Sequence, residues 1–298
     1  MPEKQTTVTG VSEAPPIVSE WRRFRRVFFQ RKLVIFGLVI LMMLVFNAIF
    51  APWLAPHDPY RGKMADSLTQ PGKKYLLGTD IQGRDTLTRL IYGSRTALMV
   101  GFLSVGFAGI FGMALGIVAG YFGGIINMII MRVMDALMGF PMLLLALLLA
   151  SVLGSGIQNV IIALSFATLP GYTRFVHGLT LSVRENDYIL AEEAMGSSRA
   201  RTMLRHILPN VFPPMIVLIT LMLGNLILAE AALSFLGIGI KPPGAAWGSM
   251  VADGYQYLLM NPVLSFAPGL TIMVVVFAFN MVGDGLRDAL DPRLRGLL

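Results

Sequence analysis

The sequence predicts an all-α, polytopic membrane protein with six transmembrane helices. Three observations carry that reading. Only 14% of the 298 residues are charged while 55% are hydrophobic, against about 25% charged in a typical soluble domain. Asp, Glu, Lys and Arg are absent from five long runs, 33–57, 96–131, 136–173, 206–229 and 254–283, and a helix crossing a hydrocarbon layer roughly 30 Å thick needs about 20 such residues. None of these runs alternates apolar with polar residues as a membrane-barrel strand would.

The elements follow in order. Residues 1–32 are a polar N-terminal segment. The first span, 33–53, is longer than the core of a signal peptide and is read as an uncleaved start-transfer helix. Residues 54–95 form a loop outside the membrane. The run 96–131 contains GYFGG at 120–124 and splits into spans 97–119 and 125–152, the second continuing through Asp135. The run 136–173 is too long for one span and divides at GSGIQN, so a fourth span covers 157–179. Spans 209–232 and 265–286 complete the set, and 96–298 is read as one unit of five helices.

Orientation follows from the cations. WRRFRRVFFQRK (21–32) places six cations immediately before the first span, which puts the N-terminus in the cytoplasm by the positive-inside tendency. Six crossings return the C-terminus to the same side, where Arg287, Arg293 and Arg295 agree. The segment 54–95 runs against this frame, with seven cations and four aspartates. The net charge of +7 is read as anchoring to anionic lipid, not as a nucleic-acid surface, because no nucleic-acid motif accompanies it. With no cysteine and three dispersed histidines, disulfides and thiolate metal sites are excluded, and no metal-ligand cluster is visible.

Between the fourth and fifth spans stands YILAEEAMGSSRARTMLRHILPN (188–210). YILAEEAM favours a helix throughout. Gly196 suits a helix C-terminus, Ser197 or Ser198 can cap the next helix, and Pro209 fits the end of that turn or the first turn of the following span. One face carries Ile189, Leu190, Ala194 and Met195, the other Glu192 and Glu193. Residue physics alone leaves two readings open: a helix seated in a partner's groove, or a helix lying on the lipid surface.

This stretch resembles the cytoplasmic coupling loop of permease subunits in ATP-binding-cassette (ABC) importers, whose pattern is Glu-Ala-Ala, a Gly four residues on, and a closing Leu-Pro. Ala191, Gly196, Leu208 and Pro209 hold the spacing. Leu190 stands at the Glu position, Glu192 replaces the second Ala, and His206 occupies a usually aliphatic position. LLGTDIQGRDTLTRLIYGSR (76–95), MRVMDALMGFPMLLLAL (131–147), AALSFLGIGIKPPGAAWGSM (231–250) and NMVGDGLRDALDP (280–292) are similar to the C-type permease of the peptide, nickel and glutathione branch.

The resemblance implies a type I ABC importer permease fold and a non-catalytic subunit. It also implies four partners: a second homologous permease, two ATP-binding subunits that hold ATP and Mg, and an extracytoplasmic solute-binding protein. The location implied is the inner membrane of a bacterium or archaeon, in contact with membrane lipid. In agreement, the chain has no G-x-x-x-x-G-K-[ST] phosphate loop, so energy must arrive through contact. The coupling loop, 185–208, is assigned Ala191, Glu192, Glu193, Ala194 and Gly196 as a docking face, flanked by Leu190 and Met195. Arg199, Arg201 and Arg205 are expected to meet either acidic motor groups or phospholipid.

Gly112, Gly116 and Gly120 recur every four residues and form a ridge for close helix approach, either to the second permease or within the subunit. Charges inside spans cost about 2.5–3.5 kcal/mol at mid-bilayer. Asp135 is expected to pair with Arg132 one turn earlier. Glu230, near the outer end of its span, reaches the interface or faces the permeation path, for which it and Asn225 are the candidates. Asp284, Arg287, Asp288 and Asp291 are expected to pair among themselves, and the loop 239–248 with Trp247 is a candidate binding-protein surface. Peptide is the expected substrate, with nickel or glutathione as alternatives in the same branch. An ion-gradient-driven secondary transporter is the rival from another class, although no inverted repeat is apparent. The 19 methionines are read as ordinary packing.

Overall fold

A computed structural model describes residues 20–290; Asp291, Arg293 and Arg295 lie outside the described residues. The described chain is helical: α1 (Glu20–Gln30), α2 (Lys32–Leu54), α3 (Thr86–Phe122), α4 (Gly124–Met138), α5 (Met142–Leu153), α6 (Ile157–Arg184), α7 (Asp187–Ala194), α8 (Arg199–Thr202), α9 (Leu208–Phe235), α10 (Trp247–Tyr255) and α11 (Val263–Leu290). A π-helical turn, Met203–Ile207, joins α8 to α9, so the helix runs without interruption from Arg199 to Phe235.

Four helices are long and apolar enough to cross a membrane unaided: α2, α3, α8–α9 and α11. The third expected span is not one straight helix. Its halves, α4 and α5, meet at 89°. The break falls at Gly139–Phe140–Pro141, because Pro141 has no N–H to give and its ring would clash with the carbonyl of Leu137, four residues back. Hydropathy counts apolar residues and is blind to that geometry. The fourth expected span is α6, whose 28 residues include Gln158, Asn159, Thr168, Pro170, Thr173 and Arg174. It is therefore less apolar than the others, and one face is sheltered by α3.

The α3–α6 pair is the most extensive helix contact of the subunit, and the glycine ridge explains why. A Cβ on Gly116 would lie 2.7 Å from the Thr173 carbonyl oxygen and 2.8 Å from Val176 Cβ. Gly112 meets Tyr172, and Gly120 meets Thr180. The ridge thus lets two backbones close together inside this subunit. On the other side α2 packs along α11, with Gly37 against Ala278 and Gly285 against Val34. At the junction of α1 and α2, Arg31 Nη1 pairs with Asp288 Oδ2 at 2.7 Å. Asp288 therefore bonds across helices instead of joining the expected ladder along α11.

The segment 54–95 is a folded lobe, not an open loop. Its organiser is GTDIQGRD (78–85). The Asp80 carboxylate accepts from the backbone N–H of Gln82 and Arg84, both at 2.9 Å, and from Arg84 Nε at 2.6 Å. Arg89 lies 3.6 Å from the same carboxylate and donates to the carbonyls of Pro59, Pro243 and Gly244 at 3.2, 3.4 and 3.2 Å. Asp85 caps α3 by accepting from Thr88 N, so the helix begins well before residue 97, where the uncharged run had placed it. At 37 residues it is about 55 Å long, and its first turns belong to the lobe.

This lobe also accounts for the cations that ran against the orientation rule. Arg84 and Arg89 pair with Asp80, Lys74 with Asp66, Arg61 with Asp58, and Arg95 donates to the Ala48 and Ile49 carbonyls. Four of the seven cations are thus paired with three carboxylates, and the charge is partly offset within the lobe. Trp247 is likewise part of the lobe's core and not a surface for a partner. It is 2% exposed, and its indole N–H donates to the Leu90 carbonyl at 2.9 Å. The exposed part of the 239–248 loop is Lys241–Pro242–Pro243.

Candidate coupling loop and transmembrane groove

The loop between α6 and α9 is a helix, a corner and a second helix. α7 ends in a Schellman turn: Ser197 N–H reaches back to the Glu192 carbonyl at 3.2 Å and Gly196 N–H to the Glu193 carbonyl at 3.0 Å. The turn needs a left-handed residue, and Gly196 has φ 83°, where a side chain would be strained. Ser198, not Ser197, caps the next helix, accepting from Arg201 N.

The faces of α7 differ from the sequence expectation. Ile189 is wholly buried, whereas Leu190 (53% exposed) and Met195 (81%) project outward, with Ala191, Ala194 and Gly196 also exposed. Glu192 and Glu193 are half-buried. Glu192 accepts from Ser197 Oγ at 2.8 Å, lies 3.7 Å from Arg201 Nε and contacts His206 Nε2. Two of the three departures from the family pattern, Glu192 and His206, are therefore partners. They clamp the two short helices so that the outward face is apolar. Arg199 stacks over the Phe122 ring at 5.6 Å, leaving Arg205 exposed and, among the described residues, without an ion pair. Leu208 is half-buried and Pro209 opens α9 at the helix start, exposed.

Within the spans, Glu230 is 1% exposed and accepts from Ser234 Oγ at 2.7 Å. It is enclosed by its own subunit and faces no open surface. Asn225 is exposed, with Nδ2 4.0 Å from Met222 Sδ. Asp135 pairs not with Arg132 but with Arg174 of α6, and both side chains remain about half exposed, at 47% and 49%. The signal for this pair was present in the sequence, since Arg174 ends the uncharged run 136–173 and falls inside the fourth span. Beside the pair lies an open groove of about 390 Å³, whose lining includes Met138, Phe140, Met142, Thr168, Tyr172 and Met222. It opens where α4 breaks from α5.

A profile described as the binding-protein-dependent transport system inner membrane component matches residues 112–296, and one for the N-terminal transmembrane domain of oligopeptide transport permease C matches 19–72. This chain belongs to the binding-protein-dependent transport permeases. Within them it is a C-type permease of peptide ABC importers. It is 42% identical to the dipeptide transport system permease protein DppC of Alkalihalophilus pseudofirmus, over 93% of this chain and 91% of that one. Identity to the di/tripeptide permease DppC of Pseudomonas aeruginosa is 40%, over 93% of each chain. Identity to the glutathione transport system permease protein GsiD of Pectobacterium atrosepticum is 36%, over 92% of each. The permease also shares its fold with a solved structure titled as inward-facing conformations of the MetNI methionine ABC transporter, with a TM-score of 0.56 and 19% identity over 69% of this chain and 98% of that one. A multi-pass protein of the inner membrane follows from the apolar helices and the family together. Among the described residues no group of three His, Asp or Glu could hold a metal ion.

Proposed function

We propose that this permease forms half of the translocation path of a peptide importer and takes its energy from separate ATP-hydrolysing subunits through the 185–208 loop. The observation that carries the proposal is the clamped coupling loop. Glu192 braces the two short helices from within, and Leu190, Ala191, Ala194 and Met195 form an outward apolar face that none of the described residues covers. A rigid knob of this kind transmits motor closure to α6 and α9, which flank it, as rigid-body displacement. On this reading the N-terminal segment 1–32 and the C-terminus are cytoplasmic, and the lobe formed by 54–95 and α10 meets an extracytoplasmic solute-binding protein. The five helices of 96–298 pair with a second homologous permease, and ATP and Mg are bound by the motor subunits.

Peptide is the favoured substrate because the di- and tripeptide permeases are among the most similar relatives. Glutathione, itself a peptide, is the second reading, favoured by the relative from Pectobacterium. A gradient-driven carrier would need a free membrane-embedded acid. Glu230 is enclosed and bonded to Ser234, and Asp135 is paired.

The test is co-purification from cells expressing the full set of subunits, comparing wild type with Gly196→Arg. A Cβ at Gly196 meets nothing within 4 Å, so the variant strains the corner without invading the bundle. Wild type is expected to retain a second permease and the ATPase subunits and to import peptide in proteoliposomes. The variant is expected to keep the second permease and lose the motors. Gradient-driven uptake by this permease alone would overturn the reading.

A further inference from the structure

Asp135 and Arg174 form an ion pair that no part of the coupling or folding argument requires. Asp135 lies about three turns from the start of α4, and Arg174 about three turns from the end of α6. Both are thus roughly 15 Å from the end of the bundle at which Gly123 lies beside Arg184, about half the thickness of the hydrocarbon layer. An arginine can extend toward the interface, but an aspartate is too short to do so. Yet both side chains are about half exposed on the subunit. A charged pair at that depth faces a water-filled path or another subunit, not lipid.

The surroundings favour the path. On α6, Gly171, Arg174 and Gly178 share an exposed face, and a Cβ on either glycine would meet nothing within 4 Å. The face is open beside the charge, and because glycines also serve close helix contacts, it is the adjoining groove that points to the path. The groove next to the pair adds Thr168 of α6 and three methionines, Met138, Met142 and Met222, from α4, α5 and α9. Asn225 reaches Met222 from the same helix. Methionines that look dispersed along the sequence therefore converge here. Thioether side chains adapt to varied shapes, and a compact acid–base pair offers one partner to each end of a zwitterion.

We infer that this groove is a transit site for short peptides with free termini: Arg174 receives the carboxylate, Asp135 the ammonium group, and the three methionines accommodate the variable side chains. The inference rests on the peptide-import reading above. Exchange of the Asp135–Arg174 pair for two pairs with the peptide leaves no charge unpartnered at mid-membrane, which is the condition for passing a zwitterion through a low-dielectric layer. Because the pair recognises only the termini, selectivity among side chains is left to the methionine wall, which is permissive.

The chain contains no cysteine, so single-cysteine variants report on one position. Gly171→Cys and Gly178→Cys are placed in the full transporter in nanodiscs and treated with a charged, membrane-impermeant methanethiosulfonate. Gly106→Cys on α3, which also has open space at its Cβ and sits beside exposed Phe102 and Phe107, is the lipid-facing control. Labelling at 171 and 178 but not at 106, slowed by dipeptide together with binding protein and ATP, is the expected result. Failure to label 171 and 178 means that lipid or the second permease covers this face, and overturns the site. Asp135→Asn and Arg174→Gln are expected to lower dipeptide uptake by about tenfold or more, the worth of one charge-assisted contact, while binding-protein-stimulated ATP hydrolysis persists. Recovery of uptake in the exchanged double variant Asp135→Arg/Arg174→Asp would show that the pair is only a brace and would also overturn the site. Absence of peptide uptake by wild type overturns the peptide reading itself, and the site with it; uptake without labelling overturns the site alone.

Discussion

The apolar face of α7 leads to a quantitative prediction. Leu190 and Met195 are 53% and 81% exposed, so seating the loop in a motor groove can bury those shares. Complete burial of a Leu or Met side chain contributes about 1.5–3 kcal/mol, which scales here to about 1 kcal/mol for Leu190 and about 2 kcal/mol for Met195. The double variant Leu190→Ala/Met195→Ala should therefore weaken motor binding by about 3 kcal/mol, or roughly a hundredfold in Kd. The assay is titration of fluorescently labelled ATPase subunits onto permease pairs in nanodiscs. Because both side chains project from the subunit, the variant should melt at the wild-type temperature. A loss of binding with an unchanged melting temperature is then specific to docking. A Kd within about threefold of wild type, the equivalent of less than 1 kcal/mol, would refute the assignment of this face and return the loop to the lipid surface.

Three further outcomes are expected. Arg89→Ala removes the partner of three carbonyls and one of the partners of Asp80, and breaking such a buried network costs about 3–5 kcal/mol. Trypsin should then cut the exposed lobe at Lys63 and Lys73 far faster than in wild type, and Arg89→Lys should rescue little because an ammonium lacks the guanidinium fork. Gly116→Val forces α3 from α6, with overpacking typically costing about 1–3 kcal/mol. Yield and melting temperature of the permease should both fall, whereas Gly106→Val should be tolerated. Burial pushes the Asp253 carboxyl above its ordinary value, opposed by Arg89 and Arg84 and assisted by Asp80. With the folded pKa raised, the neutral form is favoured in the fold, so stability is greatest below the ordinary Asp value of 3.8 and declines as pH rises through the raised pKa. Asp253→Asn should raise the melting temperature at pH 7, with the gain vanishing below that ordinary value. A gain that is the same at low and neutral pH would refute this account.

Much of the bundle was legible because a membrane span is a one-dimensional property. Uncharged length located α2, α6, α9 and α11 to within a few residues, and Gly196 marked the corner of the coupling loop because only glycine enters that turn freely. The same measure failed where geometry or charge intervened. It ran through Pro141 without registering the 89° bend, and it started α3 at the end of the charges although Arg89 and Arg95 lie within the helix. Arg95 satisfies carbonyls at the end of α2, and Arg89 those of the lobe. Trp247 at the end of a Pro/Gly-rich stretch suggested a surface loop, but the small Gly93 on α3 opens a slot that takes the indole inside.

The sequence by itself determined the fold class, the long uncharged segments, the absence of a nucleotide loop and the helix–corner–helix between α6 and α9. Each of these depends on residues adjacent in the chain or one helical turn apart. Only the tertiary structure decided which groups are partners. Asp135 had Arg132 one turn away yet pairs with Arg174; Asp288 had Arg287 beside it yet pairs with Arg31; and Glu192 and His206, two departures from one motif, face each other. The physical reason is that spacing along a helix fixes which residues share a face, while the helix across that face is chosen by packing. Here packing is set by glycines at 112, 116 and 120, whose bare backbones bring α6 against α3, and the partners of the charges follow from how the helices settle around that contact.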